Sequence, residues 1–328
     1  MSLVRSALSQ GARRWDLAVS SLHPTHARTV REVATLLMLV AAVALIAIAL
    51  SGGGGGAGAL GSPGAPGGGH SLVGPIAGAP AKQRSVGRLY RVVGCRSRGD
   101  SVYRSGPSRR EVAIGFDDGP DTDTPAFVRM LARNHAQATF FMIGRQVTST
   151  YRETILHELR EGDIPGDHTF THPDLTTSPD VRGELEKTLS AIRAQSDYTP
   201  CVFRPPYGDV DARVVRTARS LGLATVTWNV DPSDYTQPGT SAIEQRVLAQ
   251  VRPGSIIISH DGGGPRGQTL AAYPHIIAAL RRRGFTIVTI TQMLGFRPIY
   301  VPCVRLCDGI GVPRSRVPAN ALVQNAPS

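Results

Sequence analysis

The chain after residue 110 predicts an α/β fold on a mainly parallel sheet, and three observations predict it. Apolar runs near 111–116, 138–143, 163–167, 201–205, 223–229, 255–260 and 285–290 have the length and composition of buried strands. Between them lie helical patterns near 123–134, 151–161, 178–196, 211–221, 240–250 and 268–283. Such alternation suits either a closed barrel or an open doubly wound sheet. The third observation decides: every chemistry-bearing motif falls at or just after the C-terminal end of a strand, where barrel active sites stand.

Each element carries its own signature. The first run, Val112-Ala113-Ile114, ends on Asp117-Asp118-Gly119-Pro120. Pro125 stands early in the first helical segment, where its missing N–H costs nothing. The third run leads into His168-Thr-Phe-Thr-His172, and Pro173 disfavours helix at the residue before it. Val181, Leu185, Leu189 and Ile192 recur at helical spacing. The fourth run opens into Phe203-Arg204-Pro205-Pro206-Tyr207-Gly208, the fifth into Trp228-Asn229-Val230-Asp231-Pro232-Ser233-Asp234-Tyr235. The sixth is Ile256-Ile257-Ile258-Ser259-His260-Asp261.

Two adjacent carboxylates at the end of an apolar strand are costly unless a cation sits between them. At a frayed strand end Asp117 and Asp118 can splay, one toward a cation and the other toward a substrate. His168 and His172, spaced i,i+4, would stack on one side of a helical turn. One carboxylate and two imidazoles leave coordination positions open, as catalytic zinc requires. Other first-row divalent ions accept the same donors.

The five blocks, in this order, resemble the polysaccharide deacetylases with a NodB-type catalytic domain, carbohydrate esterase family 4, over roughly residues 108 to 298. The resemblance implies a distorted (β/α)7-type barrel of fewer than eight units. It implies metal-dependent hydrolysis of an acetamide, with Asp118, His168 and His172 as ligands and Asp117 as general base. Arg204 would hold Asp117 ionised, and the Tyr207 N–H would be an oxyanion donor. His260 would be the general acid, tuned by Asp234, with Trp228 and Ile257 walling the acetyl pocket. The chain departs from the pattern at Gly115 (usually threonine), Asp167 (usually asparagine), Glu161-Gly162-Asp163 (usually Gly-His-Glu) and Tyr235 (usually tryptophan).

The net charge of +11 invites a nucleic-acid reading, but its location opposes one. Residues 1–110 hold 14 Lys and Arg against 3 Asp and Glu, whereas residues 111–298 hold 19 against 21. The positive excess thus lies outside the expected catalytic domain, and nucleic acid is not an expected partner. Val33–Leu50 is an uncharged apolar run just long enough to cross a bilayer. Arg5, Arg13, Arg14, Arg28 and Arg31 precede it, and no charge follows until Lys82. This bias puts residues 1–32 in the cytoplasm and everything after Ser51 outside. The competing reading is a signal peptide cleaved near Ala57-Gly58-Ala59; the long leader and apolar run favour a retained anchor.

Residues 51–81 read as a flexible Gly/Pro-rich tether. Residues 82–110 read as a basic linker, either solvated or adhering to anionic envelope polymers. The expected domain is 111–298, with 299–328 a C-terminal tail. Cys95, Cys201, Cys303 and Cys307 suit an oxidising compartment and allow three pairings. The expected use is to clamp the tail to the domain, with Cys95 as a partner.

These readings converge on a membrane-anchored extracellular deacetylase acting on N-acetylglucosamine-containing polysaccharide, peptidoglycan first. The alternatives are a chitooligosaccharide deacetylase, an acetylxylan esterase, or a non-catalytic glycan-binding envelope module.

Overall fold

The computed structural model describes residues 89–98, 101–303 and parts of 307–317. The apolar run at 33–50 and the tether lie outside the described residues. Among the described residues, no helix is long and apolar enough to cross a membrane.

Ten strands are present among the described residues: β1 (Leu89–Arg96), β2 (Glu111–Gly119), β3 (Thr139–Met142), β4 (Ile164–Asp167), β5 (Val202–Phe203), β6 (Ala224–Thr225), β7 (Ser255–His260), β8 (Thr286–Val288), β9 (Arg297–Pro302) and β10 (Val312–Pro313). Seven α-helices accompany them: α1 (Thr124–Arg133), α2 (Arg152–Glu161), α3 (Val181–Ser196), α4 (Ala212–Ser220), α5 (Thr240–Gln250), α6 (Gly267–Arg282) and the short α7 (Ile290–Met293). The seven runs read as strands became β2 to β8, and the six helical patterns became α1 to α6.

β2 is the central strand. Val112, Ala113, Ile114 and Phe116 are fully buried, as a strand covered on both faces requires. All barrel pairings are parallel, in the order β6-β5-β4-β3-β2-β7, with β8 against the start of β2. The ring is irregular where β6 should meet β7. There Val230 bridges Ile257, with Ile258 N–H donating to the Val230 carbonyl at 3.0 Å. This is the distorted barrel expected, left open along one side. Asp180 caps α3 by accepting from Gly183 N–H, Asp211 caps α4 through Val214 N–H, and Gly162 ends α2 in left-handed conformation. Phe116, Phe127, Phe140 and Tyr273 pack in the core between β2, β3, α1 and α6.

The boundary drawn at residue 111 from charge falls inside the folded unit. β1 pairs antiparallel with β9 along its length and with β10 at its start, so part of the basic segment and part of the tail form a second, three-stranded sheet. Antiparallel strands with only half-buried faces carry a weak apolar signal, and the arginines of β1 masked it. Arg91 of β1 is paired with Asp197 at 2.7 Å, and Arg109, just before β2, with Glu111 at 3.0 Å.

The expected tail clamp is also corrected. Cys95 of β1 is bonded to Cys201 at the start of β5, and Cys303 is bonded to Cys307. It is the N-terminal strand, not the tail, that is cross-linked to the barrel.

The Cys95–Cys201 bond spans 106 residues and the Cys303–Cys307 bond only 4. Because loop-closure entropy grows with loop length, replacing the first pair by alanine should lower unfolding free energy by about 2–5 kcal/mol, and the second pair by much less. Denaturant titration checks this; equal, small effects would mean that strand pairing alone fixes β1.

Candidate active site

The site is built at the C-terminal ends of β2, β4, β5 and β7. β2 pairs with β7 in a register that sets Asp117 opposite His260. Its pairing with β3 shifts between Asp117 and Gly119, and Asp118 adopts a positive φ of 73°. This bulge splays the two carboxylates, as the sequence suggested. Gly119 is required beside it, since a Cβ would stand 2.3 Å from Asp261 Oδ2.

Asp117 is buried and accepts from Arg204 Nη1 at 2.7 Å. Arg204 is wholly buried, its guanidinium 4.2 Å from the centre of the Phe141 ring. It fits because Gly115 has no side chain: a Cβ there would lie 2.5 Å from Arg204 Nη1. The departure at Gly115 is thus the space that the guanidinium occupies.

Arg204 also orients a ligand candidate. Its carbonyl lies 2.7 Å from His168 Nδ1, which therefore carries the proton and donates. The Nε2 lone pair is left facing Asp118. His168 and His172 Nε2 lie 3.5 and 3.2 Å from Asp118 Oδ1, and that buried oxygen receives no hydrogen bond. Three acceptor atoms, all within 4.8 Å of one another, converge on one point. That donor set fits a small divalent cation. Burial works to raise the Asp118 pKa, but His168 and His172 outweigh it and hold the carboxyl below its usual range.

The expected helical turn at 168–172 does not form. Thr169 and His172 both have positive φ, near 65°, so the imidazoles meet through a tight loop with ring centres 4.9 Å apart. Positive φ at two non-glycine residues needs compensation. Glu184 of α3 supplies it: Oε2 accepts from Phe170 N–H and Thr171 N–H at 2.9 and 2.7 Å, and Oε1 from the Thr171 hydroxyl at 2.8 Å. Asp167 Oδ1 accepts from Thr169 N–H, and Thr169 Oγ1 from His172 N–H. Burial pushes Asp167 well above the usual carboxylate range, against the Thr169 N–H and helped by Glu184. Burial thus favours its neutral form, the one that resembles the asparagine common there.

On the opposite side, His260 Nδ1 donates to Asp234 Oδ1 at 2.8 Å. The other Asp234 oxygen accepts from His260 N–H and the Thr269 hydroxyl, both at 2.9 Å. Asp117, Asp118, His168, His172, Tyr207, Trp228, Asp231, Tyr235, Ile258 and His260 line one cavity of about 400 Å³. Tyr207, with a φ of 61°, sets its ring 4.9 Å from His172; Tyr235 sets its own 5.6 Å from His260.

One expected wall residue is misplaced. Ile257 is fully buried in the core, and Ile258 lines the cavity instead. Side chains alternate along β7, so the residue sharing a face with His260 lies two before it, not three.

Three contributors escaped the sequence. Glu184 is twelve residues past His172, with no spacing rule to connect them. Asp261 lies behind the Asp117–Gly119 turn; burial, then the Asp118 and Asp117 charges, push it up to about 7 against the Thr124 hydroxyl that donates to it. Arg266 ties the loop after His260 together by donating to Gly262 and Gly263 carbonyls at 2.6 and 3.0 Å. Asp261 alone had a signal, an acidic residue directly after a buried strand.

Comparison with known proteins bears on this geometry. A family model described as polysaccharide deacetylase matches residues 104–226. A chitooligosaccharide deacetylase of Sinorhizobium fredii is 39% identical over 206 residues, covering 58% of this chain and 95% of its own. A peptidoglycan-N-acetylglucosamine deacetylase of Bacillus cereus is 36% identical over 191 residues, covering 57% and 89%. Among solved structures, a peptidoglycan N-acetylglucosamine deacetylase bound to a naphthalenyl-benzamide compound superposes with a TM-score of 0.57 at 31% identity, covering 59% of this chain and 92% of that one.

Glu184→Ala leaves two loop N–H groups without their acceptor. The expected result is a zinc affinity lowered by about 10–100-fold in a folded protein, read by competition with a chromophoric chelator. Unchanged affinity would mean the loop holds its shape unaided.

Proposed function

The chain belongs to the polysaccharide deacetylase family, carbohydrate esterase family 4, and from that premise we propose that it removes N-acetyl groups from an N-acetylglucosamine-containing polysaccharide, peptidoglycan first. The observation that carries the reading is one cavity that holds a cation-binding triad, an Arg-bound carboxylate and an Asp-bound imidazole. Its volume suits one sugar residue. Peptidoglycan is preferred over soluble chitin oligomers because the apolar run at 33–50 reads as an anchor, holding the domain outside the membrane and near the wall.

The roles follow from placement. Asp118, His168 and His172 would hold the ion; bound there, a divalent cation supplies carbonyl polarisation and a lowered pKa for the attacking water. Asp117, fixed by Arg204, takes the proton from that water. The Tyr207 N–H is the second oxyanion donor. Trp228 and Ile258 enclose the acetyl methyl group. His260 gives a proton to the departing amine, and Asp234, bonded to Nδ1, leaves Nε2 to deliver it.

The decisive experiment is acetate release by residues 82–328 from purified peptidoglycan, chitin oligomers and acetylated xylan, with and without chelator. The reading predicts chelator-sensitive release, greatest from peptidoglycan. Asp117→Asn should lower kcat by on the order of 10²–10⁴-fold with metal content kept, in a protein destabilised by loss of the Arg204 partner. Release unaffected by either treatment would contradict it.

The pH profile tests the acid. Burial works against a charged His260, but Asp234, with Asp117 and Asp118 adding, outweighs it and raises the pKa above its ordinary 6.5. The protonated acid thus persists to higher pH, and activity falls as pH rises through the raised value. Asp234→Asn should move that alkaline limb of kcat/KM to lower pH. A limb that stays put would remove His260 from the role.

A further inference from the structure

We infer that the end of the barrel opposite the catalytic mouth is a docking face for anionic phospholipid headgroups. Arg110, Arg133, Arg252, Arg281, Arg282 and Arg283 are all exposed there. They stand at the starts of β2, β7 and β8 and at the C-terminal ends of α1, α5 and α6. Hydrogen bonds make the group continuous. Arg281 donates to the Asn134 and His135 carbonyls at 2.6 and 2.8 Å, just past α1. Arg110 donates to the Arg283 carbonyl at 3.3 Å, and Arg283 to the Leu248 carbonyl in α5.

The bland account is that these side chains only cap helix carbonyls. It covers Arg110, Arg281 and Arg283, but a carbonyl leaves the formal charge in place. Among the described residues none of the six has a carboxylate within 4.0 Å, whereas Arg91, Arg109, Arg182, Arg204 and Arg213 each do. For Arg133, Arg252 and Arg282 the account offers nothing. The cluster is also not a product of composition, since residues 111–298 carry more acid than base. Acidic side chains stand at this end too, Glu111 at the start of β2, Glu161 at the end of α2 and Asp197 just past α3, but each lies within 4.0 Å of another basic group: Arg109, His157 and Arg91.

Such a domain orients itself at a negatively charged plane, basic end down and mouth outward. Strand β1 reaches that same end, where Thr199 N–H, just before β5, donates to the Val93 carbonyl. Choosing a lipid surface rests on reading 33–50 as a retained anchor, which holds the domain within about 130 Å of the bilayer even with residues 51–88 fully extended. Guanidinium groups match the phosphate of a headgroup in geometry and charge. The consequence is functional: the mouth is held away from the membrane and toward the polymer.

The test uses residues 82–328, which form a compact unit without the apolar run. Co-sedimentation is measured with phosphatidylcholine vesicles, with and without phosphatidylglycerol. Binding should require phosphatidylglycerol and vanish at roughly 1 M salt. Arg133→Gln, Arg252→Gln and Arg282→Gln combined remove no observed hydrogen bond. They should weaken partitioning by on the order of a hundredfold, with acetate release from soluble oligomers unchanged. No preference for anionic vesicles, binding untouched by the triple variant, or binding to soluble poly(glycerol phosphate) in place of vesicles would each overturn the proposal. Fractionation of the full chain separates this from the anchor: a membrane-bound chain whose 82–328 fragment ignores phosphatidylglycerol refutes the face alone.

Discussion

The buried pair of Arg204 and Asp117 is the contact on which the site depends. One arginine, wholly excluded from solvent, touches nearly every working part. Its Nη1 fixes the carboxylate, its carbonyl fixes the His168 tautomer, and its N–H is received by the Asp167 carbonyl at 2.9 Å. Its guanidinium plane rests on Phe141 and approaches Trp228, which walls the cavity. A buried guanidinium is tolerable only with its partner present; removing either leaves a bare charge in the interior, at about 3–5 kcal/mol. Catalytic geometry and local stability are therefore one constraint, and Gly115 is its steric condition.

Around that pair the fold divides its labour. Rigid parallel strands place Asp117 and His260 in register, so their separation is set by backbone hydrogen bonds alone. The candidate ligand histidines sit on a loop of unfavourable backbone angles, over-determined by Glu184, Asp167 and Thr169. Strain at a site survives when neighbours outvote it, and here several hydrogen bonds do so. The tyrosines at the mouth, Tyr207 and Tyr235, are the large hydrophobic side chains left exposed among the described residues. They flank the cavity from opposite sides, one against His172 and the other against His260.

Most of the barrel was legible because buried parallel strands and amphipathic helices have strong, different periods. The splay of Asp117 and Asp118 was legible from the strand end, while the Arg204 contact and the His260–Asp234 pair were legible only through the family resemblance. What failed has physical causes. β1 and β9 are half-buried antiparallel strands; the arginines of β1 read as linker, and most of β9 fell in the expected tail. Ile257 came with the family resemblance, whereas the two-residue period along β7 puts Ile258 on the face of His260. The turn at His168–His172 was taken as helical because i,i+4 spacing fits a helix, yet Glu184 diverts its N–H groups into a loop. Glu184 itself left no trace, because its partnership exists only after α3 has packed.

The account stands on the point where Asp118, His168 and His172 converge. An anomalous difference map, collected at the zinc edge from crystals of residues 82–328 grown with zinc, tests it most directly. One peak bonded to Asp118 Oδ1 and to both Nε2 atoms, with Asp117 uncoordinated beside it, is the predicted result. A peak that recruits Asp117 as a ligand, or none at this point, would contradict the division of the two carboxylates and the mechanism built on it.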